Sequence, residues 1–575
     1  MQEKPGNLAP TPEAGGHGPR AMVMLAAILA MWFVVLPADN SGTITAHYYR
    51  IQDRTVLGFM ALALFTLGWW RPALRLTLPA MPRWVLWGAA GALAGLLWLG
   101  TYAVMLDYPL TRDEHMVLFD ARNFSQGQLA AIVPGQWVGF TLALVPDFLL
   151  DAPGDSLLAS AYGPGNAAMR AGFGLLLDPA LMNPLLAGMG LVALVNIAKR
   201  QFPDTPHAVW VCGLAYILSA QMLVAAMTTY AMTAHMALNL VWLALFLRGS
   251  RWALAGTMVI GAWAIGLHQI IFHPLFAGPF ILTLLPQRRW GLFATYALVY
   301  GAALLFWINY PAMVMQLAGV DATSGTGTGT SGFLRERVMA LILERDPNTL
   351  ALTNFNIVRF ICWNVLFLVP LAALAWPAVK TGTGIALPLA AGIVLTFLAM
   401  MLLLPYQGHG YGYRYFHAVL GNWFLLAGYG YVCWARRDQA RADAGTAIMA
   451  MATAFCAIPF LLVTSHQFVA PYASLDRLIE RQQADFAVID TEQPQNAIDQ
   501  ARNLPDLSNR PLRFSSDDMS QAQIMTLCQR GSIALIRRQD FHRADFSPDL
   551  PETSPEFERK VAVTDGQSCV VKTRE

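Results

Sequence analysis

The amino-acid sequence predicts an all-α polytopic membrane protein with about thirteen transmembrane helices, outer interfacial helices and a small C-terminal α/β extracytoplasmic domain. Three observations carry this. Hydrophobic residues make up 56% of the 575-residue chain and charged residues only 13%, whereas soluble domains hold nearer ~25% charged. Apolar runs approaching bilayer-crossing length, roughly 17–25 residues, recur between residues 21 and 464. The basic clusters of six connecting loops fall on one side of the resulting topology, as expected of cytoplasmic loops.

Residues 1–20 are rich in Pro, Gly and polar groups and are expected to be a disordered cytoplasmic N-terminus. Spans are expected at 21–37, 55–70, 84–106, 181–198, 208–226, 230–247, 252–267, 270–286, 291–310, 354–376, 384–404, 416–434 and 445–464, which makes 21–464 the transmembrane domain. The first run is read as a retained span, because Pro37-Ala38-Asp39-Asn40 is a poor small-residue cleavage site. With the N-terminus inside, the cytoplasmic loops hold Arg71, Arg75 and Arg83; Lys199 and Arg200; Arg248 and Arg251; Arg288 and Arg289; Lys380; and Arg436, Arg437 and Arg441.

That arrangement places three loops outside: 107–180, 311–353 and 405–415. The first is too long for a simple connector. Its apolar piece, Gln136 to Leu150, is too short to span and reads as a helix lying in the membrane interface. A second helix is expected from about Ala161-Tyr162-Gly163-Pro164-Gly165 to Leu177, with Pro164 near its first turn. The second loop carries the Gly/Thr tract Ser324 to Gly332, read as a mobile flap or linker, followed by a charged helical piece, Phe333 to Arg345.

After Thr464 the composition becomes that of a soluble α/β unit, 465–575. Strands are expected at Phe486–Asp490, Leu512–Ser515, Ile533–Arg538 and Val561–Thr564, and helices at Leu475–Gln483, Ala497–Asn503 and Ser520–Gln529. Six cysteines show no metal-ligand spacing. Cys528 and Cys569 lie in this outer unit, where a disulfide is chemically permitted. The net charge of +2 says nothing about partners, and no basic block suggests nucleic acid, which is not expected as a partner.

The chemistry concentrates in the outer loops. Arg112, Asp113, Glu114 and His115 stand side by side at the mouth of the span 84–106. Ionisable groups there are expensive to hold near hydrocarbon and mark a functional site by default; the bland alternative is a solvated juxtamembrane turn. The third loop, with His409, Tyr411, Tyr413 and Arg414 among glycines, offers rings that stack on a sugar and a guanidinium fork suited to phosphate. Its bland alternative is an aromatic belt with a snorkelling arginine. His268 and His273 lie five apart near the outer end of a span, which is not the spacing of a helical metal pair. A phosphate or sugar contact is the favoured reading of both, whereas His235 fits a hydrogen-bonded core position equally well. A divalent metal on Asp113, Glu114 and His115 is not favoured, since adjacent ligands rarely all face one ion, and no cofactor is expected.

Three features carry a family resemblance: the pair Asp113-Glu114 just after a span; the segment Ala161-Tyr-Gly-Pro-Gly-Asn-Ala-Ala-Met169 followed by Asn183-Pro184-Leu185-Leu186; and a late outer Gly/Tyr/Arg segment ahead of an outer C-terminal domain. In these, from about Tyr102 to Thr464, the chain resembles the bacterial GT-C-fold glycosyltransferases that use polyprenyl-phosphate sugars. These include protein O-mannosyltransferases, aminoarabinose transferases and galacturonosyltransferases. The second feature looks like their YPPG…NPL stretch, with Gly163 where that pattern has proline, and the first two spans look like an added hairpin.

The resemblance implies transfer of a sugar from a polyprenyl-phosphate donor to a lipid, glycan or protein acceptor. It places the chemistry on the periplasmic face of a bacterial inner membrane, with inversion at the sugar. Asp113 then aligns with the general base and Glu114 supports or shares that role. Arg414, His268, His273, Tyr411, Tyr413, His409, His115 and Arg112 are the candidates for holding the donor's phosphate and sugar. Alternatives from other classes are a lipid-linked glycan flippase or transporter, and a glycan ligase or polymerase. Transporters commonly show internal repeats, and none is seen in this sequence.

Overall fold

The computed structural model describes residues 44–320 and 348–573, apart from 146–148, 151, 153–155, 493, 494 and 548, together with 22, 23, 25–30 and 32. The expected N-terminal segment, about half of the first span, the Gly/Thr tract and the helical piece Phe333–Arg345 lie outside the described residues.

Apolar sequence becomes helix wherever every backbone group must find its partner within its own segment. A short helix, Ile44–Tyr48, passes through a π-turn into α1, Arg54–Trp70. The chain continues with α2, Arg83–Ala103; α3, Arg112–Ser125; α4, Gly165–Gly174; and α5, Met182–Gln201. Next come α6, Pro206–Ile217; α7, Ala220–Ala226; α8, Met232–Arg248; α9, Arg251–Ile265; α10, Phe272–Leu282; and α11, Trp290–Leu317. After the undescribed stretch follow α12, Thr349–Cys362; α13, Leu368–Leu374; α14, Ala386–Leu403; α15, Leu420–Ala452; and α16, Ile458–Glu480.

Among the described residues, five helical stretches are long and apolar enough to cross a membrane by themselves, or six if the bent pair α6–α7 counts as one. Several expected spans are broken helices. The run 208–226 bends by 51° between Ile217 and Ala220. The run 354–376 divides between α12 and α13. The last two spans meet inside α15, where Asp438 leaves helical geometry at φ −158° and ψ 93°. The centre of the bundle is α5 with α8, whose Leu194, Ala198, Met236 and Trp242 are fully shielded.

Three of the basic loops share one end of this bundle, opposite α3. Lys199 Nζ donates to the Met81 carbonyl at 2.7 Å, His207 Nε2 meets the Leu76 carbonyl at 2.8 Å, and Leu74 N donates to the Ala440 carbonyl at 3.0 Å. The segment after α1, the α5–α6 turn and the break in α15 are therefore neighbours.

At the α3 end sits a four-stranded parallel sheet: β1, Phe486–Ile489; β2, Leu512–Ser515; β3, Ile533–Ile536; and β4, Val570–Val571, in the order β2-β1-β3-β4. Helices α17, Gln521–Arg530, and α18, Arg538–Arg543, follow β2 and β3. Cys528 and Cys569 form a disulfide joining α17 to the residue before β4.

Three expectations need correction. Val561–Thr564 is not a strand but the end of a helix and a 3₁₀ turn; Ser554 caps that helix and outweighs the β-branched residues. Leu475–Gln483 is not a separate helix, because α16 runs unbroken from the apolar segment to Glu480. The piece Gln136–Leu150 does not lie on the membrane as one helix. It forms a 3₁₀ turn, Gly135–Trp137, and a short helix, Thr141–Leu144, packed on the sheet. Trp137 meets Phe486 and Phe514 with centroids 5.7 and 5.8 Å apart, so the sheet rather than lipid buries this apolar face.

Candidate active site

Thr111 caps α3, its Oγ1 accepting the Glu114 N–H at 3.4 Å. Asp113 thus sits in the first turn, where the helix N-terminus favours a carboxylate. Its two oxygens are taken by residues from distant segments. Oδ1 accepts the Tyr162 hydroxyl at 2.5 Å, and Oδ2 accepts Arg414 Nη1 at 2.6 Å in a buried ion pair. The His268 ring lies 4.1 Å from the Tyr162 ring, centroid to centroid. The Arg414 guanidinium rests over Tyr230 and Tyr415, at 5.6 and 5.2 Å from their centroids. Its Nε is buried without a hydrogen-bond partner among the described residues.

Burial pushes the Asp113 carboxyl up, but the Arg414 guanidinium and the Tyr162 hydroxyl outweigh it and hold the group below its usual range. For Glu114 the burial outweighs the nearby Arg502 charge and its hydrogen bonds. Oε1 accepts the Thr229 N–H at 3.3 Å and Oε2 has no hydrogen-bond partner among the described residues. Burial therefore pushes it from 4.5 up to about 7.

Between those two values the folded state holds a proton the unfolded state has released, so stability from Glu114 falls as pH rises from about 4.5 to about 7. Glu114→Gln is expected to remove that loss, on the order of 3 kcal/mol at ~1.4 kcal/mol per unit. Asp120, also pushed up to about 7 by burial, acts in the same direction, so the slope should shrink without vanishing. Thermal unfolding at about pH 5 and about pH 8 checks this. An unchanged slope in the variant would show that Glu114 is not the group responsible.

The loop that delivers Arg414 is held from three sides. Arg359 Nη2 and Nε donate to the carbonyls of Gly410 and Gly412 at 2.8 and 3.3 Å. Gln221 brackets Tyr413, accepting from its N–H at 3.2 Å and donating to its carbonyl at 2.9 Å. Gln407 Nε2 donates to the Gly412 carbonyl at 2.9 Å, and its Oε1 accepts the Arg414 N–H at 3.2 Å. Gly412 has φ +68°, and a Cβ there would stand 2.5 Å from Gln221 Oε1, so both the turn and the close approach require glycine.

The two motif segments act as scaffold. Asn166 and Asn183 donate to the carbonyls of Thr229, Thr228 and Tyr230, at 3.0, 2.7 and 3.0 Å respectively. They thereby fix the residues that meet Glu114 and Arg414. Gly163 N donates to the His268 carbonyl at 3.0 Å and Gly165 N to the Gly266 carbonyl at 2.8 Å. This explains glycine in place of proline at 163: proline has no N–H to give, and a Cβ there would meet the Gly266 oxygen at 2.6 Å. Gly163→Ala is expected to displace Tyr162 and cost about 10²-fold in turnover, the penalty of a ~1 Å misplacement. Kinetics of that variant check it, and wild-type turnover would show that the approach tolerates a methyl group.

Of the sequence-predicted residues, Asp113, Arg414 and His268 come together. Glu114 is adjacent, but its carboxylate turns to Thr229. Arg112 pairs with Asp499 at 2.8 Å, tying α3 to the C-terminal α/β unit. His115 stands edge-on to Phe119, and His409 meets the Tyr48 hydroxyl at 3.0 Å. Tyr411 packs on Trp363 and Tyr413 on Phe416. His273 is bound to Asn239 at 2.7 Å inside the bundle, so it does not join Asp113. Among the described residues no three His, Cys, Asp or Glu side chains are placed to hold a metal ion. Tyr162, Tyr230, Arg359, Gln221 and Gln407 are site-building residues that the sequence reading did not single out.

No protein-family profile and no curated protein matches the chain. Among solved structures it is similar to ArnT from Cupriavidus metallidurans bound to undecaprenyl phosphate, with a TM-score of 0.50 and 14% identity, covering 73% of this chain and 85% of that one. The apo state of ArnT from the same organism matches with a TM-score of 0.46 and 13% identity, covering 73% and 84%. The likeness to the undecaprenyl-phosphate complex, together with the apolar helices, gives this chain the GT-C-type fold of a multi-pass membrane protein.

Proposed function

We propose that the protein is a membrane glycosyltransferase that moves a sugar from a polyprenyl-phosphate donor to an envelope acceptor on the extracytoplasmic face. The observation that carries this reading is the contact of Asp113 with Arg414, a carboxylate and a guanidinium 301 residues apart in the chain, in one buried cluster. Two supports join it. ArnT, whose fold this chain shares, was crystallised with undecaprenyl phosphate. The shared end of three basic loops, opposite α3, agrees with a site on the outer face.

In the proposed reaction the acceptor hydroxyl attacks the anomeric carbon, Asp113 takes its proton, and the bond from that carbon to the phosphate oxygen breaks with inversion. The lipid phosphate departs with the bonding pair and gains charge, which Arg414 offsets. Charge compensation comes from the guanidinium, so the scheme invokes no metal. The ion pair also gates basicity. While Arg414 serves Asp113 alone, the carboxylate is a weak base. A donor phosphate that engages Arg414 shares its charge and raises the affinity of Asp113 for a proton. Tyr162 and His268 then orient the carboxylate and wall the sugar.

The test is mass spectrometry of envelope glycans and lipid A from strains with and without the protein. Loss of one sugar substituent is expected, and identical profiles would overturn the reading.

A further inference from the structure

A second charged cavity lies away from Asp113, at the junction of α16 with the outer unit. It holds about 440 Å³ and is lined by Ser474, Arg477, Leu478, Arg481, Arg543 and Ala544. Arg477 and Arg481 stand four residues apart on α16 and so share one face. Arg543 faces them from the last turn of α18. The acids of the same stretch of α16, Asp476 and Glu480, both turn to Arg513 on β2 and do not line the cavity. Arg543 is paired with Asp540 at 3.1 Å, while among the described residues the Arg477 and Arg481 guanidinium groups form no ion pair.

We infer that this cavity binds a phosphate ester. Three guanidinium forks line the cavity with no carboxylate among its lining residues, a donor set suited to the oxygens of a phosphate ester. The volume exceeds that of phosphate alone, and Leu478 and Ala544 give the organic part of an ester an apolar floor. An occupant would bridge the last long helix to α18. Phe546, just beyond α18, stands edge-on to Tyr472 with centroids 4.8 Å apart, and Tyr472 in turn to His409 at 6.4 Å, in the loop that delivers Arg414. Binding here therefore braces the outer unit against the loop of the main site.

The ester can belong to a lipid headgroup or to a water-soluble molecule, and the experiment separates these. Full-length protein in detergent is titrated with inorganic phosphate and with glycerol 3-phosphate. Protein in nanodiscs of phosphatidylcholine, with and without phosphatidic acid, forms the second arm. Thermal stabilisation in either arm is expected, and Arg477→Gln with Arg481→Gln should weaken it about tenfold or more. Both side chains are exposed and form no ion pair among the described residues, so this variant should fold as wild type does. The same stabilisation should persist in Arg414→Lys, which separates this cavity from the site at Asp113. A response in the first arm assigns a soluble ester, and one confined to the second assigns a lipid. No response in either arm, or an equal response in the double variant, would overturn the inference whatever reaction the main site performs.

Discussion

Arg414→Ala is expected to lower turnover by about 10²–10³-fold, the usual cost of removing one donor aimed at developing negative charge. Arg414→Lys should fall between that and wild type, since it keeps the charge but loses the planar fork. Loss of stabilisation confined to the transition state lowers kcat and kcat/KM together. The ion pair adds a signature that a merely structural arginine would not produce. Arg414 is the leading influence that offsets the burial of Asp113, so its removal should raise the carboxyl's pKa. A base must be deprotonated to act, and activity is lost as pH falls through that pKa. The acidic limb of the pH–rate profile should therefore move to higher pH in Arg414→Ala. Full turnover with an unmoved limb would remove Arg414 from the chemistry.

How far this site could be read from the sequence depended on the type of residue. Asp113 and Arg414 were legible because ionisable groups beside apolar runs are costly and therefore informative. Arg359 obeys the same rule inside the expected span 354–376, and its role in holding the Gly410 and Gly412 carbonyls was within reach of that argument. Gln221 and Gln407 were not, because an amide shows its purpose only when its two partners are known. Gly163 looked like a departure from a motif, and only the backbone bond to His268 gives its reason. Spans were legible as apolar runs, but the breaks between α6 and α7 and between α12 and α13 leave no gap in hydropathy. The packing of Trp137 and Phe140 on the sheet was hidden because an apolar face does not say whether lipid or protein covers it.

Asp113→Asn is expected to abolish transfer, at about 10²–10⁴-fold for a positioned base. Asparagine keeps an acceptor for Tyr162 and Arg414 but cannot take a proton. It also leaves the Arg414 guanidinium buried without its counter-charge, and breaking a buried pair costs about 3–5 kcal/mol when one partner goes. Loss of activity must therefore be separated from loss of fold. Asp113→Asn combined with Arg414→Gln removes both charges and should recover part of that stability while recovering no activity.

The measurement that bears most directly on Asp113 as the base of a sugar transferase is a complementation read by mass spectrometry. A strain lacking the protein receives wild type or Asp113→Asn at equal abundance in the membrane, and its envelope glycans and lipid A are compared. The sugar substituent lost with the protein should return with wild type and stay absent with Asp113→Asn. Its return with Asp113→Asn, to the wild-type level, would contradict the mechanism.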